Sequence, residues 1–287
     1  MPNRSRSKRR SKRSIGVIGL GTMGWPMASN LAKAGFTVQG YDVLPRNRNV
    51  DAIAAIDAPV VITSLPSAQA LHDVAGELSH KCVVIETSTL PIQEKISVRN
   101  SLLDRNIVML DCPLSGTGAQ ARVKDLVVYV SGDRQGYLKV KPYLPGFSRG
   151  HFYVGEFGNG SKMKFVANLM VAIHNVSAAE AFVLGMKAGL SPQDIFEVQA
   201  NSAGTSRMFQ VRGPMMVKGN YDDATMKQEL WQKDMKIIGD FARQLGVSTP
   251  LFDASGEVYK AAMAQGYALK DTAAVCAVLE KLAGLRR

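Results

Sequence analysis

"SIGVIGLGTMGWPMASNLAKAGFTVQGYD", residues 14–42, decides the fold. Ile15–Gly19 is a short apolar run that reads as a buried strand. Gly19, Gly21 and Gly24 then stand in G-x-G-x-x-G spacing at the start of a helical pattern that ends near Gly35. Thr37–Tyr41 is the next strand, with Asp42 at its end. The glycine pattern alone is a weak signal. Here a strand precedes it, a helix follows it, and an acid stands 21 positions after Gly21, which is the dinucleotide-binding arrangement. Gly19 permits the tight turn, Gly21 lets backbone approach a pyrophosphate, and Gly24 lets the helix pack close to the sheet. The helix N-terminus offers free N–H groups and the positive end of its dipole to phosphates. On this reading Gly19, Leu20, Gly21, Thr22, Met23 and Gly24 bind the cofactor and Asp42 binds its ribose. A carboxylate there accepts bonds from ribose hydroxyls and repels a 2′-phosphate, so NAD is expected, with Arg46 and Arg48 close enough to make NADP possible.

Outward from that stretch come further β-type runs: "VVITSL" (60–65), "CVVIE" (82–86), "IVMLD" (107–111), "LVVYVS" (126–131) and "HFYV" (151–154). Their alternation with helical segments argues an α/β, Rossmann-like, doubly wound and mostly parallel sheet. From Gly158 onward no strand is expected, only helical periodicity. Phe165, Leu169, Ala172 and Val176 share one face, as do Leu230, Met235, Ile238 and Phe241. "GLSPQD" (189–194) is a helix stop followed by a Ser cap and a first-turn Pro. The expected domains are a basic arm (1–13), a nucleotide-binding domain (14–157) and an all-α domain (158–287). Between Asp42 and Val60 there is room for one helix, about 51–57, although a parallel crossover needs a dozen or more residues.

The chain has 287 residues, 46% hydrophobic and 21% charged, enough for two modest domains with real cores. No uninterrupted apolar run approaches the ~18 residues of a membrane span, so no membrane partner is expected. Three widely spaced cysteines (Cys82, Cys112, Cys276) suggest a reducing compartment, hence a cytoplasmic location. No His/Cys spacing suggests a metal site. The net charge of +11 falls to +4 once the seven basic residues of "MPNRSRSKRRSKR" are set aside. That arm lacks the apolar side chains needed to offset its ordering entropy and is expected to be disordered. A solubilising extension is its plain explanation; nucleic-acid contact or organelle targeting are the sharper ones.

Two further stretches carry chemistry. In "LDCPLSGTGAQA" (110–121), Ser115 offers a hydroxyl, and Gly116, Thr117 and Gly118 can curl into an anion-binding nest suited to a carboxylate, or form a plain glycine-rich loop. A nucleophile reading of Ser115 or Cys112 lacks a histidine partner. "GSKMKFVANLM" (160–170) contains two lysines two positions apart. On a helix they point about 200° apart, so they cannot share a role. Lys164, Asn168 and Asn175 fall on one face with Val171. If buried, these polar groups need partners, and mutual bonding around a substrate is one solution; burial also lowers a lysine pKa toward the range of an acid–base group. The other reading is a face turned to water.

With these motifs the chain resembles the 3-hydroxyisobutyrate dehydrogenase group, the short β-hydroxyacid dehydrogenases, over about residues 14–285. "GLGTMGWPMASNL" is similar to the family's dinucleotide motif. "DCPLSGTGAQA" is similar to its D-x-P-V-S-G-G motif, with Thr117 replacing the last glycine. "GNGSKMKFVANLM" is similar to G-x-G-x-x-x-K-x-x-N-N, with Ala167 replacing the first asparagine. "WQKDM" (231–235) matches a later K-D pair, and "ETSTLP" (86–91) resembles the loop on the nicotinamide side. The resemblance implies Lys164 as catalytic acid–base and Asn168 as its support. It implies Ser115, Gly116 and Thr117 as substrate residues, Lys233 as a residue touching substrate and cofactor, and Leu65, Pro66 and Thr89 on the cofactor side. It implies a small hydroxy-acid substrate and a homo-oligomer, dimer or tetramer. Lys162 has no family role. The family normally fits a helix, a strand and another helix between the second strand and Val60, so a thinner adenine-side wall is expected here. Contrasting readings are an inert dehydrogenase-like scaffold tethered to nucleic acid by the arm, and an imine reductase. Ser115, Lys164 and Asn168 argue against the first and Lys164 against the second.

Overall fold

The computed structural model describes residues 13–286. The expectation for the basic arm falls almost wholly outside them. The chain divides into two compact units, one through Ser161 and one from Lys162.

The first unit runs β1 (Ser14–Ile18), α1 (Gly24–Lys33), β2 (Thr37–Tyr41), β3 (Val60–Thr63), α2 (Ala68–Glu77), β4 (Val83–Glu86), α3 (Ile92–Leu103) and β5 (Val108–Asp111). It continues with β6 (Leu114–Ser115), α4 (Gly118–Arg122), β7 (Val127–Val130), α5 (Arg134–Val140) and β8 (Gly150–Tyr153). Strands β1–β5 form a parallel sheet in the order β2-β1-β3-β4-β5. A smaller sheet, β6-β7-β8, pairs β6 antiparallel and β8 parallel to β7. A two-bond bridge between Asp111 and Ser131 connects the two sheets. Successive residues of a strand face opposite sides, and both sides here are covered. Val60, Ile62, Val83 and Ile85 pack into one apolar cluster with Met27, Leu31 and Phe147. Val61 and Val84 pack into another with Leu71, Val74 and Met109. β2 and β3 flank β1 on opposite sides, so the carboxyl ends of β1 and β3 form the switch point where open α/β sheets bind ligands.

The β2–β3 crossover corrects the sequence reading. In place of a helix over 51–57 there is a single 3₁₀ turn, Ile53–Ala55. Seven residues are too few to hold an α-helix on propensity alone. Burial decides instead: Ile53, Ile56 and Ala58 are all buried in the second cluster. Gly16 makes room for this, since a Cβ there would lie 2.7 Å from Ile56 Cγ2. Asn49 fastens the crossover to β2, accepting from Gly40 N at 2.7 Å and donating to Val38 O at 2.9 Å.

The second unit is helical. Its helices are α6 (Asn159–Lys187, whose first turn belongs to the first unit), α7 (Pro192–Gln199), α8 (Arg207–Lys218), α9 (Gln228–Gln244), α10 (Pro250–Ala264) and α11 (Val275–Leu282). Ser191 caps α7 by accepting from Asp194 N at 3.0 Å, with Pro192 in its first turn. Two details differ from expectation. Leu230 is exposed, and Trp231 takes the core position beside it on α9. Helix α6 is also long and apolar enough to cross a membrane by length and composition, with a mean hydropathy of 1.5 over an 18-residue window. Its polar residues are spaced so that they break up any uninterrupted apolar run, which is why the sequence pattern did not show this.

Candidate active site

The glycine-rich turn follows β1. Gly19 has φ +89°, and a side chain there would strike the Ser64 carbonyl; one at Gly24 would strike the Gly19 carbonyl. These two glycines are fixed by the fold. A Cβ on Gly21 would meet nothing within 4 Å, so that side of the turn is open to a ligand's approach. Helix α1 has no side-chain N-cap and no acid in its first turn; Trp25 N is already bonded to Gly21 O at 3.1 Å and Pro26 has no N–H, so the Gly24 N–H and the turn before it face the place for an anion. The turn therefore fits a dinucleotide pyrophosphate. Asp42 is half-buried and already engaged: Oδ2 accepts from Leu20 N at 2.6 Å and Oδ1 from Leu44 N at 2.9 Å. It fixes the turn as well as offering its remaining lone pairs to a ribose.

Leu65 N donates to Ser88 Oγ at 2.8 Å, which ties the loop after β3 to the loop after β4. Pro66 is exposed and Thr89 half-buried beside these segments. Ser115 lies in β6 and is half-buried. The Gly116–Gly118 nest is only partly as expected. Thr117 caps α4, and its N–H donates to Gln120 Oε1 at 3.0 Å, so that donor is committed within the loop.

Beneath these loops lies a charge cluster that the sequence did not single out. Lys95 of α3 is fully buried, and so are Glu86 and Asp111, the last residues of β4 and β5. Lys95 Nζ lies 2.5 Å from Glu86 Oε2 and donates to Asp111 Oδ1 at 2.8 Å and Ser88 O at 2.6 Å. Burial alone would lower its pKa; the Asp111 and Glu86 carboxylates overcome this and hold it above its ordinary value. Asp111 also accepts from Ser161 N at 2.7 Å and Ser161 Oγ at 2.8 Å, capping the first turn of α6. The available signal was two acids ending adjacent buried strands with a lysine on the intervening helix.

In the second unit Lys164 is half-buried and Asn168 buried, one turn apart on α6. Asn168 Nδ2 donates to Asp234 Oδ2 at 3.1 Å, and Lys233 Nζ lies 3.3 Å from Asp234 Oδ1. Among the described residues no hydrogen bond or ion pair engages the Lys164 ammonium. Burial lowers its pKa, the Asp234 carboxylate opposes this, and the Lys233 charge adds to the lowering. Asp234 is the second missed residue, although it stands in the quoted "WQKDM". Asn175 departs from the expected group. It donates to Tyr259 Oη at 3.0 Å and Thr272 O at 2.8 Å, inside the helical core. It shares the Lys164 face but sits about 16 Å along the axis, so its neighbours differ. Lys162 is exposed.

Residues 14–155 match the family described as the NAD binding domain of 6-phosphogluconate dehydrogenase. Residues 158–279 match that described as NAD-binding of NADP-dependent 3-hydroxyisobutyrate dehydrogenase. The chain is 32% identical to the Arabidopsis thaliana chloroplastic glyoxylate/succinic semialdehyde reductase 2, over 93% of this chain and 79% of the relative. It is 31% identical to the L-threonate dehydrogenase of Cupriavidus necator, over 92% and 95% respectively. The chain belongs to the β-hydroxyacid dehydrogenase family. A solved 3-hydroxyisobutyrate dehydrogenase of Mycobacterium tuberculosis with L-serine superposes with a TM-score of 0.82 at 27% identity, covering 94% of this chain and 99% of that one. This β-hydroxyacid dehydrogenase is an NAD(P)-dependent oxidoreductase with a Rossmann-type sheet followed by a helical domain.

Proposed function

We propose that this β-hydroxyacid dehydrogenase oxidises a small hydroxy acid of the 3-hydroxyisobutyrate, threonate or tartronate semialdehyde type, or reduces the matching carbonyl, with Lys164 as its acid–base group. The observation that carries the reading is the Lys164 ammonium: half-buried, lowered in pKa, without a hydrogen bond among the described residues, and beside Asp234. A lysine in that state exchanges a proton more readily than one in water. NAD(P) supplies the hydride acceptor when bound.

In oxidation, neutral Lys164 Nζ takes the substrate hydroxyl proton and becomes an ammonium that Asp234 stabilises. In reduction the ammonium returns the proton to the carbonyl oxygen. Asn168 holds Asp234 and so orients the charge that Lys164 feels. Lys233 steadies the other Asp234 oxygen. The open face at Gly21 and the uncapped α1 support the pyrophosphate role of Gly19–Gly24, with Asp42 at the ribose. Ser115 Oγ and the Gly116 N–H suit a substrate carboxylate. We favour NAD, on the carboxylate of Asp42, and a homo-oligomer, on exposed apolar side chains of the helical unit such as Val166, Leu184 and Leu251.

A screen of small 2- and 3-hydroxy acids, read by NADH absorbance, tests the reading. One or more should be oxidised, with kcat/KM rising with pH as Lys164 loses its proton. The reverse reaction should slow over the same range. Turnover without that opposed pH dependence would remove Lys164 from the acid–base role.

A further inference from the structure

We propose that Lys95 is a positioning residue that sets how tightly the chain grips its nicotinamide cofactor. This rests on the reading of Leu65 and Thr89 as cofactor-side residues. The Lys95 ammonium donates to Ser88 O and Asp111 Oδ1 and lies in ion-pair contact with Glu86 Oε2 at 2.5 Å. Glu86 in turn accepts from Ser88 N at 2.8 Å, and Ser88 Oγ accepts from Leu65 N at 2.8 Å. One buried charge thus fixes the loop after β3, the loop after β4 and the end of β5. All three lie at the carboxyl edge of the parallel sheet, where such folds bind ligands.

Stability alone does not account for the cluster. A well-packed apolar group often serves as well as a buried ion pair or better. What the ammonium does is bridge two acids that stand side by side, since Glu86 and Asp111 are directly paired in register. Both carboxyl groups are used as acceptors, one for Ser88 N and one for Ser161.

The test is NADH binding by the full-length protein, followed by fluorescence without substrate. Loss of the Lys164 role would leave this readout intact, so the two readings fail separately. Lys95→Met should weaken NADH binding about tenfold at pH 8, the worth of a charge-assisted bond. The double variant Lys95→Met with Glu86→Gln removes one acid with the base and keeps the cluster at one negative charge. Its melting temperature should recover, and its NADH affinity should stay weak. If Lys95→Met does not fold, the double variant alone carries the test. Affinity within twofold of the unaltered protein in Lys95→Met, or affinity restored together with melting temperature in the double variant, would overturn the proposal.

Discussion

Two lysines, one in each unit, are both withdrawn from water and end in opposite states. Lys95 donates to Ser88 O and Asp111 Oδ1 and pairs with Glu86 Oε2, and its pKa is raised. Lys164 has one carboxylate nearby, no hydrogen bond among the described residues, a second lysine pressing on it, and a lowered pKa. Burial pushes both the same way; the number and sign of the neighbours decide the outcome. A saturated ammonium is a structural cross-link. An unsaturated one is available for proton transfer.

The largest effect should come from removing the unsaturated lysine. Lys164→Ala is expected to lower kcat by about 10²–10⁴, the usual worth of one acid–base group, with NADH affinity nearly unchanged. Lys164→Arg should fail as well, because a guanidinium stays protonated. Normal turnover by the Arg variant in stopped-flow or steady-state assays would break the contrast.

Stability should separate the two lysines next. Lys95→Ala leaves two buried acids uncompensated and should cost about 3–5 kcal/mol in urea unfolding, while Lys164→Ala should cost little or stabilise the fold. The pH dependences have opposite signs. Lys95 has a raised folded pKa, so its contribution is complete below the unfolded value and fades as pH climbs toward the folded one. Lys164 has a lowered folded pKa, so its penalty is present below that value and disappears between it and the unfolded value. Unfolding of the two Ala variants and the parent, measured from neutral to alkaline pH, checks both slopes.

A smaller effect should follow from Asp234→Asn. With the opposing carboxylate gone, the Lys164 pKa should fall further, and the acid limb of the oxidation profile should move to lower pH. Reduction at fixed neutral pH should slow on the order of tenfold, as a charge-assisted contact would predict. An unmoved limb would show that Asp234 does not act on Lys164. Lys162→Ala is the control: exposed, it should change stability by no more than about 0.5 kcal/mol and leave kcat within experimental scatter.

Much of the first unit was legible because its signals are local. The turn at Gly19–Gly24 needs glycine where backbone meets backbone, and β2 could be read from its own residues over Thr37–Tyr41. Helical phase separated Lys162 from Lys164 without coordinates, since 3.6 residues per turn is a property of the backbone itself. The misses share a different cause. Asn175 has the right phase but meets Tyr259 and Thr272, which are distant in sequence. The 51–57 crossover forms a 3₁₀ turn because Ile53 and Ile56 follow the sheet face, not their own propensity. Lys95, Glu86 and Asp111 look like ordinary charges in sequence, and only strand order β3-β4-β5 brings them together. The sequence by itself determined the glycine-rich turn, the change from alternating strands to helices near Gly158, and the phase that sets Lys162 and Lys164 on different faces. The tertiary structure alone decided which charges are saturated. Local conformation is set by neighbours along the chain, whereas the ionisation of a buried group is set by neighbours through space.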